Sequence, residues 1–488
     1  MLSLAKLASI VDGELCNTGG EEQVCGISYD SRKVKPGDVF VAISGQKDDG
    51  AKYADSALKL GAVAVILEKS VSQLSGAPLL IVSNSRATLA KAAWAIAEYP
   101  QKRLKLIGVT GTNGKTTVTT ALAQLLTICG RPTGVCGTLG MSYDEYRFDS
   151  ERTTAEAPDL AQAFQGMIEH GAEYVAMEAT SIGLVMHRLD DLQFEVAVFT
   201  NLSRDHLDFH GSWEAYRRAK MMLFESARLI GCAVVNADDP ESRDLISHTS
   251  APILTYGIES RCDFRASDIE LHADGTQFRV VCTDGEYVAN TSLIGLFNVQ
   301  NTLAMIATAR ALGLSMDEII GALPKVLPVR GRAEVISSSA PFIVLVDYAH
   351  TPDALEKILS TVRNLAKGSL HCVIGAGGDR DKGKRPLMAQ AAAKWSDRIF
   401  LTSDNPRMED PQTILNDMMT GIAPSHHANA NVDRRAAIYH ALSSAGTGDV
   451  VVVAGKGHET YQEVHGVRYP FDDAEVIRDW LRAGGYLS

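Results

Sequence analysis

One stretch constrains the fold of this chain more than any other, LKLIGVTGTNGKTTVTT at residues 104–120. Its apolar residues at 106–109 predict a short buried strand, and the helical apolar spacing that follows predicts a helix. Between them lies a glycine-rich turn, whose backbone N–H groups can approach phosphate oxygens at the positive end of the helix dipole. The lysine of this turn adds a positive charge for the phosphates, and the threonine that follows offers a hydroxyl group for Mg²⁺. The stretch predicts a phosphate-binding loop, although Val109 replaces the usual first glycine; its residues are Gly111, Thr112, Asn113, Gly114, Lys115, Thr116 and Thr117.

The length and charge of the chain limit the classes of protein it can belong to. At 488 residues it is too long for a single hydrophobic core, and about three domains are expected. Its 45% apolar and 22% charged residues are typical of a globular protein. The net charge of −12 argues against a nucleic-acid-binding protein. Any anionic ligand must be bound by local lysines, arginines, backbone amides or metal.

The spacing of the cysteines and the length of the apolar segments indicate the cellular compartment in which the protein is expected. The eight cysteines show no C-x-x-C spacing, which argues against a zinc site or a redox motif and favours reducing conditions. No segment approaches the roughly 20 apolar residues that span a bilayer, and the N-terminal apolar stretch is too short for a signal peptide. We expect a soluble cytoplasmic protein without a membrane partner. A monomer is expected because no exposed apolar heptad pattern stands out.

Strand-like and helix-like segments alternate along the chain, which predicts α/β domains with mostly parallel sheets. Residues 1–99 predict a small α/β domain that ends in a linker at 98–101. Residues 100–332 predict a central doubly wound sheet with the phosphate loop, and antiparallel strands near 262–295. Residues 333–488 predict a second, Rossmann-like α/β domain. Strands are expected at residues 38–43, 62–67, 106–109, 174–177, 196–200, 233–236, 343–346, 372–374, 399–401 and 450–454.

Several further motifs, taken together in this order, resemble those of the Mur ligase family. They are the phosphate loop, Met177-Glu178, Asp205-His206-Leu207-Asp208, Asn298-Val299-Gln300-Asn301, Gly331-Arg332-Ala333-Glu334 and Asp347-Tyr348-Ala349-His350-Thr351-Pro352. The resemblance implies ATP-dependent amino-acid ligation in peptidoglycan precursor synthesis. It also implies three domains, which bind a UDP-sugar (1–99), ATP (100–332) and an amino acid (333–488).

Three C-terminal motifs resemble the family members that add meso-2,6-diaminopimelate to UDP-N-acetylmuramoyl-L-alanyl-D-glutamate. They are GGDRDKGKRP at residues 377–386, DNPR at 404–407 and GKGHE at 455–459. The reaction implied passes through an acyl phosphate and releases ADP and phosphate. The diaminopimelate-binding residues that the resemblance implies are Arg380, Asp404, Asn405, Pro406, Arg407, Gly455 and Glu459.

Arg407 is the residue on which the amino-acid choice depends. Diaminopimelate differs from lysine by a second carboxylate, which a guanidinium can bind through two parallel hydrogen bonds. Lysine would leave that arginine unpaired, which costs more than a lost contact. In an unrelated protein the same four residues would be interpreted as a capped turn.

The metal-binding and catalytic residues follow from the same resemblance. Thr116 and Glu178 are expected at one Mg²⁺ ion and His206 near a second, and Lys115 offers charge to the phosphates. Lys220 matches a lysine that is carbamylated by CO₂, so that it becomes an anionic metal ligand. The sequence pattern alone favours an exposed helix lysine at that position.

The remaining contacts of ATP and of the nucleotide-linked substrate are also implied by the resemblance. The ATP contacts beyond the loop are Asn298, Asn301, Arg332, Asp347 and His350. The substrate contacts are Tyr29, Ser31, Gly45 and Gln46 for the uridine part, and Thr153, Thr154, Thr180 and Arg188 for the muramoyl peptide. The chain departs from the usual pattern at Arg152, where the family often has asparagine, at 179–182 and at Met186.

Three other functions compete with this interpretation. A lysine-adding relative would share the ligase chemistry, and Arg407 argues against it. A folylpolyglutamate synthase normally lacks a comparable domain before the phosphate loop, which this chain has. A regulatory protein that hydrolyses ATP without ligation is the candidate from a different class.

Overall fold

The computed structural model describes residues 2–45, 49–69, 74, 76–150, 152–272, 274–336 and 338–487. The chain forms two compact units, the first made of Met1–Tyr256 with Ala307–Leu314 and the second of Gly257–Ile306 with Ser315–Ser488. Both units are α/β, as predicted. In the described part of the chain no helix combines the length and apolar character needed to cross a membrane.

The N-terminal part of the first unit contains a five-stranded sheet in the order β2-β7-β6-β5-β4. All strand pairs in it are parallel except β2 with β7. The strand Ala64–Leu67 is fully buried, as its uninterrupted apolar sequence predicts. The elements are β1 (Leu2–Ser3), α1 (Leu4–Val11), β2 (Glu14–Cys16), β3 (Gln23–Val24), β4 (Gly26–Ser28), β5 (Asp38–Val41), α2 (Ala54–Lys59), β6 (Ala64–Leu67), β7 (Leu79–Ile81) and α3 (Ser85–Ile96).

The central part of the first unit is a larger sheet in the order β11-β10-β9-β12-β8-β13-β14-β15. Strands from β9 to β15 in this order run parallel, and β10 and β11 are antiparallel at the edge. The elements are β8 (Lys105–Thr110), α4 (Lys115–Ile128), β9 (Thr133–Gly137), β10 (Gly140–Tyr143), β11 (Tyr146–Phe148), α5 (Ala157–Glu169), β12 (Tyr174–Glu178), α6 (Ser181–Val185), β13 (Phe194–Phe199), α7 (Leu207–His210), α8 (Trp213–Met221), β14 (Leu229–Asn236), α9 (Ser242–His248) and β15 (Ile253–Gly257).

The second unit contains three antiparallel strands, β16, β17 and β18. It also contains a separate six-stranded sheet in the order β19-β20-β24-β21-β22-β23. All pairs in the larger sheet are parallel except β19 with β20. The elements are β16 (Phe264–His272), β17 (Gly275–Cys282), β18 (Gly285–Thr291), α10 (Leu296–Ala311), α11 (Met316–Ala322), β19 (Glu334–Val335), β20 (Ile343–Asp347), α12 (Pro352–Arg363), β21 (Leu370–Ile374), α13 (Lys384–Trp395), β22 (Arg398–Thr402), α14 (Pro411–Met419), β23 (His427–Asn431), α15 (Arg434–Ser443), β24 (Val450–Ala454), β25 (Tyr461–Val464), β26 (Val467–Pro470) and α16 (Asp473–Ala483).

The strand β24 shows why this sheet is covered by helices on both faces. Val450, Val452 and Ala454 pack into one apolar cluster, while Val451 and Val453 pack into another on the opposite face. Alternate residues of a strand point to opposite faces, so an uninterrupted run of valines requires apolar cover on each side. The sheet is therefore doubly wound.

The predicted strands are present. Their ends differ by at most two residues, except that β14 begins at Leu229, four residues before the predicted start. The main differences are that β5 ends at Val41 rather than at residue 43, and that β12 extends to include Glu178. The predicted linker at 98–101 was only partly right, because Pro100–Arg103 forms a 3₁₀ helix. The antiparallel strands expected near 262–295 are β16, β17 and β18.

A buried ion pair holds four elements of the second unit together. Arg434 and Asp473 are both fully buried and their side chains make two hydrogen bonds of 2.7 and 2.6 Å. The same guanidinium donates to the carbonyl oxygens of Ser403 and Ala454, at 3.3 and 3.0 Å. The pair therefore connects α15 and α16 to the carboxyl ends of β22 and β24, where the candidate amino-acid site lies.

We expect Asp473→Ala to lower the free energy of unfolding by about 3–5 kcal/mol, because it leaves a buried guanidinium without its counter-ion. Chemical denaturation would measure the change. The matched control is Asp479→Ala on the same helix, since Asp479 is half exposed and its ion pairs lie on the surface. That substitution should cost about 1 kcal/mol or less. Equal losses in the two variants would contradict the prediction.

Candidate active site

The phosphate loop has the predicted strand, turn and helix, and its shape depends on Gly111. This residue has φ +146°, and a Cβ atom there would lie 1.9 Å from Thr200 Oγ1. Asn201 supports the loop from the end of β13, because its carbonyl oxygen accepts from Thr112 N at 2.8 Å and its Oδ1 accepts from Asn113 N at 3.0 Å. Gly114 has φ +85° and begins α4, with Lys115, Thr116 and Thr117 in its first turn. A larger residue at position 111 would displace the loop.

The Lys115 side chain folds back over this loop. Its Nζ donates to the carbonyl oxygens of Gly111 and Thr112, both at 2.9 Å. The ammonium group therefore lies beside the start of α4, where the helix dipole also favours negative charge. The arrangement concentrates positive charge where a phosphate would be bound.

Glu178 lies next to the loop and has the properties of an Mg²⁺ ligand. It is buried, and its two carboxylate oxygens accept from Thr116 Oγ1 at 3.1 Å and from Thr138 N at 2.8 Å. A hydroxyl oxygen and a carboxylate oxygen at this separation suit a hard cation. Among the described residues no group of three or more histidine, cysteine, aspartate and glutamate side chains could hold a metal ion. Other oxygen ligands, from phosphate, water or a modified side chain, would complete such a site.

We expect Glu178→Gln to raise the Mg²⁺ concentration needed for half-maximal ATP turnover by about tenfold or more, because the amide removes the negative charge from a ligand oxygen. A magnesium titration of phosphate release would measure this. Glu169→Gln, at an exposed position of α5, is the control and should leave the titration unchanged. An unaltered magnesium requirement in Glu178→Gln would contradict this assignment.

Lys220, in α8, is buried beside the loop rather than exposed. Only 3% of the residue is accessible, and Nζ donates to Gly111 O at 2.7 Å. Nζ also lies 4.6 Å from the centre of the Tyr216 ring. Burial, followed by the nearby charge of Lys115, lowers the pKa of Lys220 well below its usual value. The exposed helix lysine that the sequence pattern alone favours is therefore wrong.

His206 lies near the same lysines, at the start of α7. Its backbone has φ +52°, and its Nε2 is 3.4 Å from Asp205 Oδ2. Burial lowers the pKa of His206, and the charges of Lys115 and Lys220 add to the effect. A neutral imidazole retains a lone pair for a metal ion. The first unit thus brings Lys115, Glu178, His206 and Lys220 around one loop.

The four residues predicted to contact the muramoyl peptide also come together. Thr154 Oγ1 donates to Glu178 O at 2.7 Å and lies 2.8 Å from Thr180 Oγ1. Arg188 donates to Thr154 O at 3.0 Å, and Thr153 Oγ1 lies 3.1 Å from Thr138 Oγ1. This cluster adjoins the Glu178 site through Thr138 and Thr154.

The predicted uridine contacts are less concentrated. Tyr29 donates its hydroxyl to Asp159 at 2.7 Å, and burial raises the pKa of this phenol. Ser31 begins a 3₁₀ helix, Ser31–Lys33, and Gly45 is exposed beside the bridge between Ser44 and Asp49. Gln46 lies outside the described residues.

The second unit contains the other predicted ATP contacts. Asn298 and Asn301 are buried in the first turns of α10, where Asn301 Nδ2 donates to Asn298 Oδ1 at 2.8 Å. Asp347, at the end of β20, accepts from the N–H groups of Ala333 and Ala349 at 2.6 and 2.7 Å. Burial raises the pKa of Asp347. The Arg332 guanidinium lies 4.5 Å from the Tyr348 ring centre, and the His350 ring nitrogen Nδ1 lies 2.9 Å from Tyr348 O.

The predicted amino-acid site lies at the carboxyl ends of β22 and β24. Asn405 Nδ2 donates to Glu459 Oε2 at 2.8 Å. The buried Asp404 lies next to Gly455, where a Cβ atom would come within 2.7 Å of Asp404 Oδ2. Gly378 N donates to Asn405 O at 2.9 Å, and the Gly378 position leaves no room for a side chain beside Pro406.

Arg407 occupies the rim of this site in a constrained backbone conformation. It has φ +52°, and its N–H and C=O groups bond to Glu463 O and His465 N at 3.0 and 2.8 Å. Its guanidinium donates to Gly378 O at 2.6 Å and stays 24% exposed, with Glu463 at 3.8 Å. Arg380 lies on the neighbouring loop, where its Cγ would be 3.8 Å from a Cβ atom on Gly377.

Four residues of these sites were missed by the sequence interpretation. Lys456 is fully buried and donates to Asn405 Oδ1 and Glu459 Oε2, both at 3.0 Å. Its place in the GKGHE motif, directly after a strand, was a usable signal. Asn201 lies two residues after the end of β13, which is a similar signal. Thr138 and Glu156 carry no comparable sequence signal, because their roles depend on long-range contacts.

Comparison with known proteins gives consistent matches along the chain. The profile described as Mur ligase family, catalytic domain, matches residues 23–105, the Mur ligase middle domain matches 109–309, and the Mur ligase, glutamate ligase domain, matches 331–457. Two similar proteins are UDP-N-acetylmuramoyl-L-alanyl-D-glutamate–2,6-diaminopimelate ligases. That of Syntrophomonas wolfei subsp. wolfei is 42% identical over 486 residues, with 99% of each chain covered. That of Geobacillus thermodenitrificans is 43% identical over 484 residues, with 98% of this chain and 99% of the relative covered.

Solved structures also match this chain. A structure of a ligase with that name matches with a TM-score of 0.71 and 36% identity, covering 99% of both chains. MurF from Acinetobacter baumannii matches with a TM-score of 0.69 and 19% identity, covering 99% of both chains, which supports the fold alone. Folylpolyglutamate synthase of Mycobacterium tuberculosis matches with a TM-score of 0.64 and 20% identity, covering 76% of this chain and 92% of the other.

Proposed function

Because the chain belongs to the Mur ligase family, we propose that it is the ATP-dependent ligase that adds meso-2,6-diaminopimelate to UDP-N-acetylmuramoyl-L-alanyl-D-glutamate in peptidoglycan precursor synthesis. One observation of the structure carries the choice of amino acid. Arg407 and the Asn405–Glu459 pair place a guanidinium and a carboxylate on neighbouring loops. These charges complement the carboxylate and the ammonium at the distal end of diaminopimelate.

The first step is attack of the substrate carboxylate on the γ-phosphoryl group of ATP. Two anions approach each other, so positive charge must be concentrated between them. The loop amides and Lys115 supply that charge. Bound Mg²⁺, held by Thr116 and Glu178 and at a second position by His206, would neutralise further negative charge on the phosphates. The further proposed ATP contacts are Asn298, Asn301, Arg332, Asp347 and His350.

The second step forms the amide. The amino group of diaminopimelate attacks the acyl carbon, loses a proton, and phosphate leaves from the tetrahedral intermediate. Glu459 would hold the distal ammonium and Arg407 the distal carboxylate, with Asp404, Pro406, Gly455 and Arg380 shaping the loops around them. Binding at the distal end orients the attacking amine at the other end.

Carbamylation of Lys220 is part of this proposal. Only a neutral amine adds to CO₂, and the reaction forms an N–C bond, a carboxylate and a free proton. The buried amine beside Gly111 has a pKa lowered well below its usual value, which favours that neutral form. The carbamate would supply anionic oxygen to the metal site, which an ammonium cannot do.

The three-domain division also remains a proposal, with domains at 1–99, 100–332 and 333–488. It is supported by three large sheets, of five, eleven and six strands, and by three family profiles that meet near the proposed domain boundaries. Tyr29, Ser31, Gly45 and Gln46 are the proposed uridine contacts of the first domain. A cytoplasmic monomer without nucleic-acid or membrane partners completes the proposal.

The competing functions differ in what they require for ATP turnover. Wild-type protein should release phosphate from ATP only when UDP-N-acetylmuramoyl-L-alanyl-D-glutamate and diaminopimelate are both present. Replacing diaminopimelate with lysine should reduce the rate by at least about a hundredfold, because Arg407 would lose its anionic partner. Lysine-dependent release would favour the lysine-adding relative, folate-dependent release a folylpolyglutamate synthase, and release without any amino acid a regulatory ATPase.

A further inference from the structure

Two loops of the second unit carry the arginines that are predicted to bind diaminopimelate. Arg380 lies on the loop between β21 and α13, and Arg407 lies on the loop between β22 and α14. The structure describes both loops as irregular segments, so contacts between them must fix their relative position.

Two hydrogen bonds of opposite direction join these loops. The backbone N–H of Asp379 donates to Glu409 Oε1 at 2.6 Å, and the backbone N–H of Met408 donates to Asp379 Oδ2 at 3.1 Å. Asp379 has φ +53°, in the left-handed region that residues other than glycine seldom adopt. Because Asp379 directly precedes Arg380, the bond to Glu409 helps to set the direction in which Arg380 leaves its loop.

The Glu409 carboxylate is itself fixed by Arg385, at the start of α13. The Arg385 side chain is completely buried, and it donates to Glu409 Oε1 and to Asp417 Oδ2 of α14, both at 2.8 Å. The hydrogen bond from Arg385 lowers the pKa of Glu409 to about 2, so this carboxyl group remains an anion at neutral pH. A completely buried guanidinium does not reach a ligand, and its contacts are with the two elements that follow each loop.

The same contacts determine where the Arg407 guanidinium points. Its Nη1 donates to the carbonyl oxygen of Gly378 at 2.6 Å, and Gly378 directly precedes Asp379. The N–H of Gly378 donates to Asn405 O at 2.9 Å. A shift of Asp379 away from Glu409 would therefore move the carbonyl group that orients Arg407.

We propose that Glu409 and Arg385 are positioning residues for the choice of amino acid, an inference that rests on the proposed function. They hold the two loops so that the arginines face the distal carboxylate of diaminopimelate. A guanidinium binds a carboxylate through two parallel hydrogen bonds only when the two planes are aligned. Lysine has no carboxylate at that end, so a displaced loop should weaken the use of diaminopimelate far more than the use of lysine.

The test compares the full-length wild-type and Glu409→Ala proteins by steady-state kinetics with diaminopimelate and with lysine. The KM for diaminopimelate should rise by about tenfold or more, while kcat and the KM for ATP stay within about threefold. The preference for diaminopimelate, measured as the ratio of the two kcat/KM values, should fall by about tenfold. Glu409→Gln keeps the oxygen that accepts from Asp379 and Arg385, so it should retain most of the preference.

A milder variant covers the case in which Glu409→Ala does not fold. Glu409→Asp keeps the negative charge beside Arg385 but withdraws the carboxylate oxygen from Asp379 N by the length of one methylene group. Its preference for diaminopimelate should fall by about threefold or more, because the loop then loses its anchor. A wild-type preference in this variant would contradict the proposal.

Asp397→Ala is the matched control. Asp397 Oδ2 accepts from Arg363 Nη1 at 2.6 Å and from Leu370 N at 2.7 Å, which is the same combination of a guanidinium and a backbone amide. It directly precedes β22 and lies at the opposite end of that strand from the loop of Arg407. Thermal unfolding should show a loss of stability in this variant, whereas its preference for diaminopimelate should equal that of the wild type.

A double variant shows whether Glu409 acts through Arg407. Combining Glu409→Ala with Arg407→Ala should give a preference within about threefold of that of Arg407→Ala alone, because the group that Glu409 positions is then absent. Fully additive losses would overturn the proposal, and so would an unchanged preference in Glu409→Ala. Failure of the proposed function is a separate observation, namely wild-type protein that shows no diaminopimelate-dependent phosphate release.

Discussion

Lys220→Ala is expected to reduce kcat by about a hundredfold or more, with a smaller effect on the KM for ATP. The substitution removes an amine that is buried beside the phosphate loop, 2.7 Å from Gly111 O. If the amine is carbamylated, the variant also loses an anionic ligand for Mg²⁺ at the site where negative charge is transferred. Rates of phosphate release at saturating substrates would measure the loss. Arg218→Ala, at an exposed position of α8, is the matched control and should retain wild-type turnover.

Carbon dioxide and pH separate carbamylation from a plain structural role. Burial lowers the pKa of Lys220, so its amine stays neutral to a lower pH than an exposed lysine does, and acidification below that pKa protonates it. Protonation releases CO₂ from a carbamate, so activity should fall on the acid side. Degassed buffer should lower the activity of the wild type and added bicarbonate should restore it. Neither treatment should affect Lys220→Ala, while near-normal turnover of that variant would refute the assigned role.

Arg407→Ala should reduce kcat/KM for diaminopimelate by about a hundredfold to a thousandfold, because it removes a partly buried guanidinium from the distal carboxylate. The KM for ATP should change little, since none of the predicted ATP contacts is removed. Steady-state kinetics with diaminopimelate and with lysine would measure both effects. Activity with lysine should change far less, so that the preference for diaminopimelate collapses.

Two further variants test whether the effect of Arg407→Ala is specific to the guanidinium group. Arg407→Lys retains the charge but loses the planar pair of donors, so it should recover only part of the activity. Arg468→Ala removes an exposed arginine from the adjacent hairpin, where it packs 4.4 Å from the Tyr461 ring centre, and should leave the specificity unchanged. An unchanged kcat/KM for diaminopimelate in Arg407→Ala would refute the assignment.

Local sequence patterns predicted most of the architecture. Uninterrupted apolar runs such as 450–454 identified buried parallel strands, because such strands need apolar residues on both faces. The glycine, lysine and threonine spacing identified the phosphate loop, because only glycine tolerates the φ of +146° at position 111. The ends of the elements were less accurate, as Glu178 shows, because the last residue of a strand depends on its neighbours in the sheet.

The sequence by itself determined the α/β class, the phosphate loop and the family, since these depend on periodicity and on motifs within short segments. Only the tertiary structure decided which side chains act together. Thr116 and Glu178 are separated by 62 residues, and Lys220 and Gly111 by 109, yet each pair is in hydrogen-bond contact. The burial of Lys220 was likewise invisible in the sequence, whose pattern alone favours an exposed lysine there. Burial, desolvation and charge pairing depend on segments packed together in space, and they set the protonation state and the reactivity of each group.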